Sequence, residues 1–276
     1  MDHYRLFGYP LGHSLSPRIY QLFSEQTQQP LIYDTNEVTA DAFPEAIRRF
    51  FNDGGQGANV TAPLKGIAAQ WADRLTPAAQ LGSVNMLIRL PDGQILGDNS
   101  DGFGLINDLQ RQQLLTSGAR LLLLGAGGAA RGLLPQLLAT QPAEIVLLNR
   151  TESTAVALAE ACCSLGSIRV ASLQQLPSGP FDLVIQATSV RHQIAFQSMM
   201  STLPWPMAAC YDLNYSSTAS LTPFLQWAGQ QGATQLVDGL GMLVEQAAYA
   251  FNCWRQVTPS VDTVLSILRQ ELACRH

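Results

Sequence analysis

The stretch that most constrains this chain is residues 119–131. Ala119-Arg120-Leu121-Leu122-Leu123-Leu124 is apolar but for one arginine, and Gly125-Ala126-Gly127-Gly128-Ala129-Ala130-Arg131 follows directly. A short apolar run bounded by glycine marks a parallel strand buried on both faces. The glycine segment fits G-x-G-x-x-A opening a helix. The first glycine of such a segment permits a tight turn, and the second lets backbone approach a pyrophosphate. The small third residue lets the helix pack closely on the strand. The helix N-terminus turns its unpaired N–H groups toward the phosphates. Gly125, Ala126, Gly127, Gly128 and Ala129 are therefore the expected dinucleotide cradle. A plain glycine turn would look the same in isolation; the strand before it and the strand after it argue for the nucleotide site.

That following strand, expected over residues 143–149, ends on Asn149-Arg150-Thr151. A site for NAD usually places Asp or Glu about 20 residues past the glycines, to bond the ribose 2′-hydroxyl. Here Asn and Arg stand at the strand end. A carboxylate would repel a 2′-phosphate, whereas a guanidinium grips it with two hydrogen bonds and stacks on adenine. NADP is expected over NAD, with Asn149, Arg150 and Thr151 at its phosphate end. The bland alternative for Arg150 is a solvated loop charge.

Strands alternate with helices through almost the whole chain, which implies an α/β fold with helices on both faces of its sheets. Further strands are expected at residues 4–8, 31–38, 57–61, 167–171, 181–187, 207–213 and 234–237. Residues 85–90 and 94–97 read as a hairpin around Pro91-Asp92-Gly93. Ser16 is expected to cap a helix with Pro17 at its first position, Asp41 to cap a second, and Pro63 to start a third. The nucleotide-type strand comes only near residue 120, so the first hundred residues read as a separate α/β domain. Helices at 241–255 and 260–273 follow once the nucleotide half is complete, and are expected to pack back onto the first domain.

Composition excludes several classes. Of 276 residues 47% are apolar and 13% charged, a globular balance rather than a disordered one. The net charge of −5 comes with no basic stripe, so neither nucleic acid nor an anionic membrane is an expected partner. Gly, Arg131 and Pro135 interrupt the longest apolar stretch, so no membrane span is expected. Met1-Asp2-His3-Tyr4-Arg5 does not open a signal peptide. Five cysteines without a C-x-x-C pair, and four scattered histidines, predict no metal site and idle thiols in a reducing cytoplasm.

Two polar clusters stand out in the first hundred residues. Asn59-Val60-Thr61-Ala62-Pro63-Leu64-Lys65 closes one strand, and Gly97-Asp98-Asn99-Ser100-Asp101-Gly102 closes the hairpin. Singly, each has a dull explanation: a lone Lys is usually a solvated surface charge, and an Asp before Gly usually a turn or cap. Spacing alone lifts neither above these.

Taken with Gly12-His13-Ser14-Leu15-Ser16-Pro17, Val84-Asn85, the glycine segment, Asn149-Arg150-Thr151 and residues 238–247, these clusters occur in an order that resembles the shikimate dehydrogenase family over essentially the full chain. The resemblance implies a substrate-binding α/β domain from residues 1–101 and 239–276, and a Rossmann-type NADP-binding domain from 102–238. It implies NADPH-linked reduction of 3-dehydroshikimate to shikimate on the route to chorismate and aromatic amino acids. Ser14 and Ser16 would hold the substrate carboxylate, with Tyr215 helping at that end. Asn59, Thr61, Asn85 and Gln246 would bond its hydroxyls, and Lys65 and Asp101 would form the catalytic pair. Thr188, Gly239 and Met242 would join the cofactor site. The implied enzyme is cytoplasmic, a monomer or a homodimer.

The chain departs from the family pattern at several points. Leu15 sits where many relatives carry Lys, and Met86 where Thr is usual. Thr154 replaces a basic residue that often supports the 2′-phosphate, so NADP preference is expected to be less strict. Val190-Arg191-His192 replaces a glycine-containing continuation after Thr188-Ser189, and the stretch from Tyr215 to Thr222 is longer than usual. The alternatives are a paralogue acting on quinate or another cyclic hydroxy acid, and a non-catalytic NADP-binding regulatory module that keeps the fold.

Overall fold

The computed structural model describes residues 1–172, 179–188, 208–218 and 220–274. Two compact units form: Met1–Leu105 with Leu243–His276, and Ile106–Met242.

The first unit holds β1 (Asp2–Gly8), α1 (Ser16–Thr27), β2 (Leu31–Glu37), α2 (Phe43–Asn52), β3 (Gly57–Val60), α3 (Lys65–Trp71), β4 (Arg74–Leu75), β5 (Met86–Arg89), β6 (Ile95–Asp98) and the start of α4 (Asp101–Arg111). Its sheet order is β2-β1-β3-β5-β6-β4. β1 runs parallel to both neighbours, β2 and β3, and β3 then pairs antiparallel with β5. The expected hairpin joins β5 to β6, with Gly93 at φ +85° in its turn. Phe7, Val60 and Leu87 from the sheet meet Phe43, Ile47 and Phe50 of α2 in one fully buried cluster. That burial places the ends of β3 and β6, where the polar clusters sit, on a rigid platform.

Four details differ from the sequence expectation. Leu15 already has helical backbone angles (φ −83°, ψ −6°), so Ser16 is not a cap but the first residue of α1, and its side chain is buried. Asp41 does not cap α2, whose flanking residue Ala42 is likewise helical. Pro63 does not start a helix. It follows a cis peptide from Ala62, inside a turn closed by the Leu64 N–H donating to the Thr61 carbonyl at 2.9 Å, and α3 begins at Lys65. The short strand β4 was not expected.

The second unit carries β7 (Arg120–Leu124), α5 (Gly128–Ala139), β8 (Glu144–Leu148), α6 (Glu152–Ala161), β9 (Ile168–Ala171), β10 (Leu183–Gln186), β11 (Ala209–Asp212), α7 (Pro223–Gln230) and β12 (Gln235–Asp238). All six strands are parallel, in the order β12-β11-β10-β7-β8-β9. The expected central strand is β7: Leu122, Leu123 and Leu124 are completely buried. Chain order reverses between β7 and β10, and in open parallel sheets ligands sit at that reversal, beyond the C-terminal strand ends.

α8 (Leu240–Arg255) starts in the second unit and continues in the first, followed by α9 (Val261–Ala273). Leu243–His276 belongs to the first unit. Phe251 meets Phe23 of α1 edge to face, and Glu271 of α9 pairs with Arg18 at 2.6 Å. No described helix is long and apolar enough to cross a membrane, and no metal-type cluster occurs among the described residues.

Glu144 ties three parallel strands together at their N-terminal ends. It accepts from Arg120 on β7 at 2.8 Å and from Arg169 on β9 at 3.3 Å. The Arg120 hydrogen bond, followed by a smaller opposing effect of burial and then by Arg169, holds its carboxyl below the ordinary glutamate value. A lowered folded value adds stability above the unfolded value, and that stability is lost as pH falls through the folded one. Glu144→Gln should therefore cost about 0.5 kcal/mol at neutral pH. Urea denaturation as a function of pH should show the difference vanishing under acid conditions.

Candidate active site

β3, β6, α3 and α4 converge on one polar centre in the first unit. Lys65, the first residue of α3, donates from Nζ to Asp101 Oδ2 at 2.5 Å; Asp101 is the first residue of α4. The side chains are 16% and 8% exposed, so this is not a solvated surface pair. The other carboxylate oxygen, Oδ1, accepts from Asn85 Nδ2 at 2.8 Å. Asn85 Nδ2 also reaches Gln246 Oε1 at 2.9 Å and Ser100 Oγ at 3.0 Å. Asn85 Oδ1 accepts the Ser100 backbone N–H at 2.8 Å. A backbone N–H can only donate, so that contact fixes which end of the Asn85 amide faces which neighbour.

The turn before α4 is pinned just as tightly. The Asn99 side chain, fully buried, donates to the Ser83 carbonyl at 2.7 Å and accepts the Asp101 N–H at 2.9 Å. Asp98 accepts from Thr76 Oγ1, the Asn99 N–H and the Tyr249 hydroxyl. Phe103 stacks on Tyr249 at 4.4 Å.

A second group lies beside the first. Asn59 Oδ1 accepts from the Tyr20 hydroxyl at 2.9 Å and the Tyr33 hydroxyl at 2.8 Å, while Asn59 Nδ2 donates to the Asn85 carbonyl at 3.3 Å. Ser14 Oγ accepts the Ser16 N–H at 3.3 Å, and the Ser16 side chain pairs with Tyr33. Thr61 stands just past the end of β3, its N–H on the Phe7 carbonyl at 2.9 Å. Of the substrate residues expected from sequence, Asn85 touches Asp101 directly, Gln246 and Asn59 reach it through Asn85, and Ser16 is linked to Asn59 through Tyr33, with Ser14 on the Ser16 N–H. Tyr215 follows β11 in the second unit. Leu15 and Met86, two departures from the family pattern, are buried apolar side chains.

In the second unit the glycine segment has the geometry its sequence demands. Gly125 takes φ +109°, and a Cβ there would lie 2.9 Å from Thr188 Cγ2 and 3.1 Å from the Ala187 carbonyl oxygen. The turns after β7 and β10 touch at this residue. Gly127 and Gly128 open α5 with clear space where a side chain would start, and Ala126 and Ala130 pack inward. Asn149 Oδ1 accepts the Ala126 N–H at 3.2 Å, and Asn149 Nδ2 donates to the Thr151 carbonyl at 2.9 Å. Arg150 is exposed beside them. Thr188 is held by Gln186 through two hydrogen bonds of 2.7 and 3.0 Å. Gly239 is obligatory, since a Cβ would fall 2.1 Å from the Leu213 carbonyl oxygen; Met242 is buried nearby in α8. A glycine-lined opening at a helix N-terminus, flanked by an exposed guanidinium, fits a phosphorylated dinucleotide. The sequence 190–192 lies outside the described residues.

Three family models match: the "Shikimate dehydrogenase substrate binding domain" at residues 6–87, "Shikimate / quinate 5-dehydrogenase" at 108–214, and the "Shikimate 5'-dehydrogenase C-terminal domain" at 239–269. A Vibrio cholerae protein named shikimate dehydrogenase (NADP(+)) is 46% identical over 99% of this chain and 97% of its own. The chain belongs to the shikimate dehydrogenase family. Among solved structures, an Ael1 enzyme from Pseudomonas putida superposes with a TM-score of 0.84 at 38% identity, covering 97% of this chain and 98% of that one. A shikimate 5-dehydrogenase from Thermus thermophilus, solved with NADP(H) and shikimate, gives 0.83 at 28% identity, covering 99% and 100%.

Several side chains of this polar network are not singled out by the sequence. Asn99 and Ser100 stood inside the quoted Gly97–Gly102 motif, where their polarity was the available signal. Tyr20 and Tyr33 gave none, because a tyrosine in a helix and one in a strand read as ordinary core. Gly125→Ala should weaken NADP binding by about tenfold or more, because it strains the backbone and crowds Thr188. Calorimetric titration checks this; the variant should also melt at a lower temperature.

Proposed function

We infer that this protein is an NADP(H)-dependent shikimate dehydrogenase, which interconverts 3-dehydroshikimate and shikimate on the route to aromatic amino acids. The observation that carries this reading is the buried Lys65–Asp101 pair, joined through Asn85 to Gln246. A regulatory module that only bound NADP would have no use for such a pair. Full-length relatives named for NADP-dependent shikimate dehydrogenase support the substrate and the cofactor alike. Cytoplasmic location and a monomeric or dimeric state complete the proposal.

The Gly125–Ala129 turn, Asn149, Arg150, Thr151, Thr188, Gly239 and Met242 would hold NADPH, whose chemistry would be to supply a hydride to the carbonyl carbon. The chain's own residues do the rest. Negative charge grows on the carbonyl oxygen, which needs a donor. A Lys65 ammonium has three N–H groups and spends one on Asp101, leaving two that can reach that oxygen and deliver the proton. Asp101 has one oxygen on Lys65 and the other on Asn85, so its part is to hold and aim the ammonium. In the reverse direction Lys65 receives the hydroxyl proton. Ser14, Ser16 and Tyr215 bind the carboxylate; Asn59, Thr61, Asn85 and Gln246 bind hydroxyls.

Reduced-nicotinamide absorbance tests this with four mixtures: shikimate or quinate, each with NADP or NAD. Fast turnover with shikimate and NADP is the expected result; preference for quinate, or no turnover with shikimate, would overturn the reading. Lys65→Ala should lower kcat by about 10²–10⁴-fold while the circular dichroism spectrum stays that of the folded chain. Arg150→Ala should raise KM for NADP about tenfold or more and leave KM for NAD nearly unchanged, because only the former carries the 2′-phosphate.

A further inference from the structure

We propose that Tyr20 and Tyr33 are positioning residues that lock the Asn59 amide, so that Asn59 meets the substrate only as an N–H donor. The argument rests on which groups can donate. Asn59 Nδ2 faces the Asn85 backbone carbonyl at 3.3 Å, and a carbonyl oxygen can only accept. The Oδ1 end must therefore face the two phenols, and both phenols must donate to it, at 2.9 and 2.8 Å. Two donors occupy both lone pairs of Oδ1. Of the Asn59 amide, one N–H remains unspent.

The phenols are well suited to the task. Their rings stack face to face with centroids 4.0 Å apart, so each fixes the other. Tyr20 also packs on Phe251 and Trp254, which leaves it no room to rotate. Burial pushes both hydroxyls well above the usual tyrosine value, so they stay protonated, and stay donors, throughout the physiological range. Tyr33 also pairs with the Ser16 side chain; with its own proton given to Asn59, it accepts there.

The consequence is a specificity rule. With Oδ1 saturated, Asn59 cannot accept a hydrogen bond from the ligand. The substrate atom opposite it must be an oxygen with a free lone pair; an ammonium group there would meet a donor and be refused. The Asn85–Gln246 contact has the same polarity. Gln246 Oε1 is spent on Asn85 Nδ2, which turns the Gln246 amino group outward.

This inference rests on shikimate being the substrate, and the test separates the two. Tyr20→Phe, Tyr33→Phe and the double variant are assayed with shikimate and NADP, alone and in an Asn59→Ala background. The double variant should raise KM for shikimate about tenfold, the worth of roughly one hydrogen bond, with kcat within about twofold. KM for NADP should not move. In the Asn59→Ala background the same replacements should cost nothing further, because their effect passes through that amide. If the double variant does not fold, each single variant should still show a smaller rise in KM that disappears without Asn59. Tyrosine replacements that lower only the melting temperature, or whose effect on KM persists without Asn59, would overturn the proposal. A parent chain inactive toward shikimate would instead overturn the functional reading beneath it.

Discussion

The ion pair between Lys65 and Asp101 governs the design of the first unit. Each charge stands at the first residue of a helix, and the helix dipole favours only one of them. Asp101 sits well at the positive N-terminus of α4, whereas Lys65 sits badly at that of α3. Bringing both out of water costs several kcal/mol per ion before their attraction is counted. Such a pair is a poor device for stability. It persists because Asn85 bonds the second Asp101 oxygen, because Ser100 and Asn99 pin that amide and the turn before α4, and because β3, β5 and β6 hold those side chains on a buried platform.

The polar network is directional as well as complete. Two backbone groups that each have a single hydrogen-bonding role, the Ser100 N–H and the Asn85 carbonyl, set the orientation of two side-chain amides. From those anchors the polarity spreads to Gln246 and to the paired phenols. A pocket for a polyhydroxylated acid gains most from such order, since hydroxyls present donors and acceptors at every turn. Orientation fixed before binding spares the complex the entropy of sorting it out afterwards.

In the second unit the controlling constraint is backbone proximity. Gly125 and Gly239 are required because neighbouring backbone or a methyl group occupies the space a Cβ would take. The all-parallel sheet brings the turns after β7 and β10 side by side at its reversal point, so only glycine allows both to close. The glycine segment was legible in the sequence for a different reason: its strand–turn–helix pattern spans only a few residues of chain. The buried strand β7, the helix α5 behind it and the absence of an acid at the end of β8 were legible for the same reason.

Local pattern also misled where tertiary contacts overrode it. Ser16 looks like a helix cap, yet its side chain is buried with Tyr33, and Leu15 has already entered the helix. Pro63 looks like a helix start, yet it serves the turn that delivers Lys65. By itself the sequence determined the alternation of strands and helices, the dinucleotide turn and, through its ordered motifs, the family. Those properties depend on residue type and on spacing along a few turns of chain. Only the tertiary structure decided that Lys65 meets Asp101, that Gln246 reaches back to Asn85, and that Tyr20 and Tyr33 share one amide oxygen. Those contacts join residues far apart in the chain, up to 161 positions for Asn85 and Gln246. Their hydrogen-bond directions are fixed by backbone groups that carry no side-chain signature.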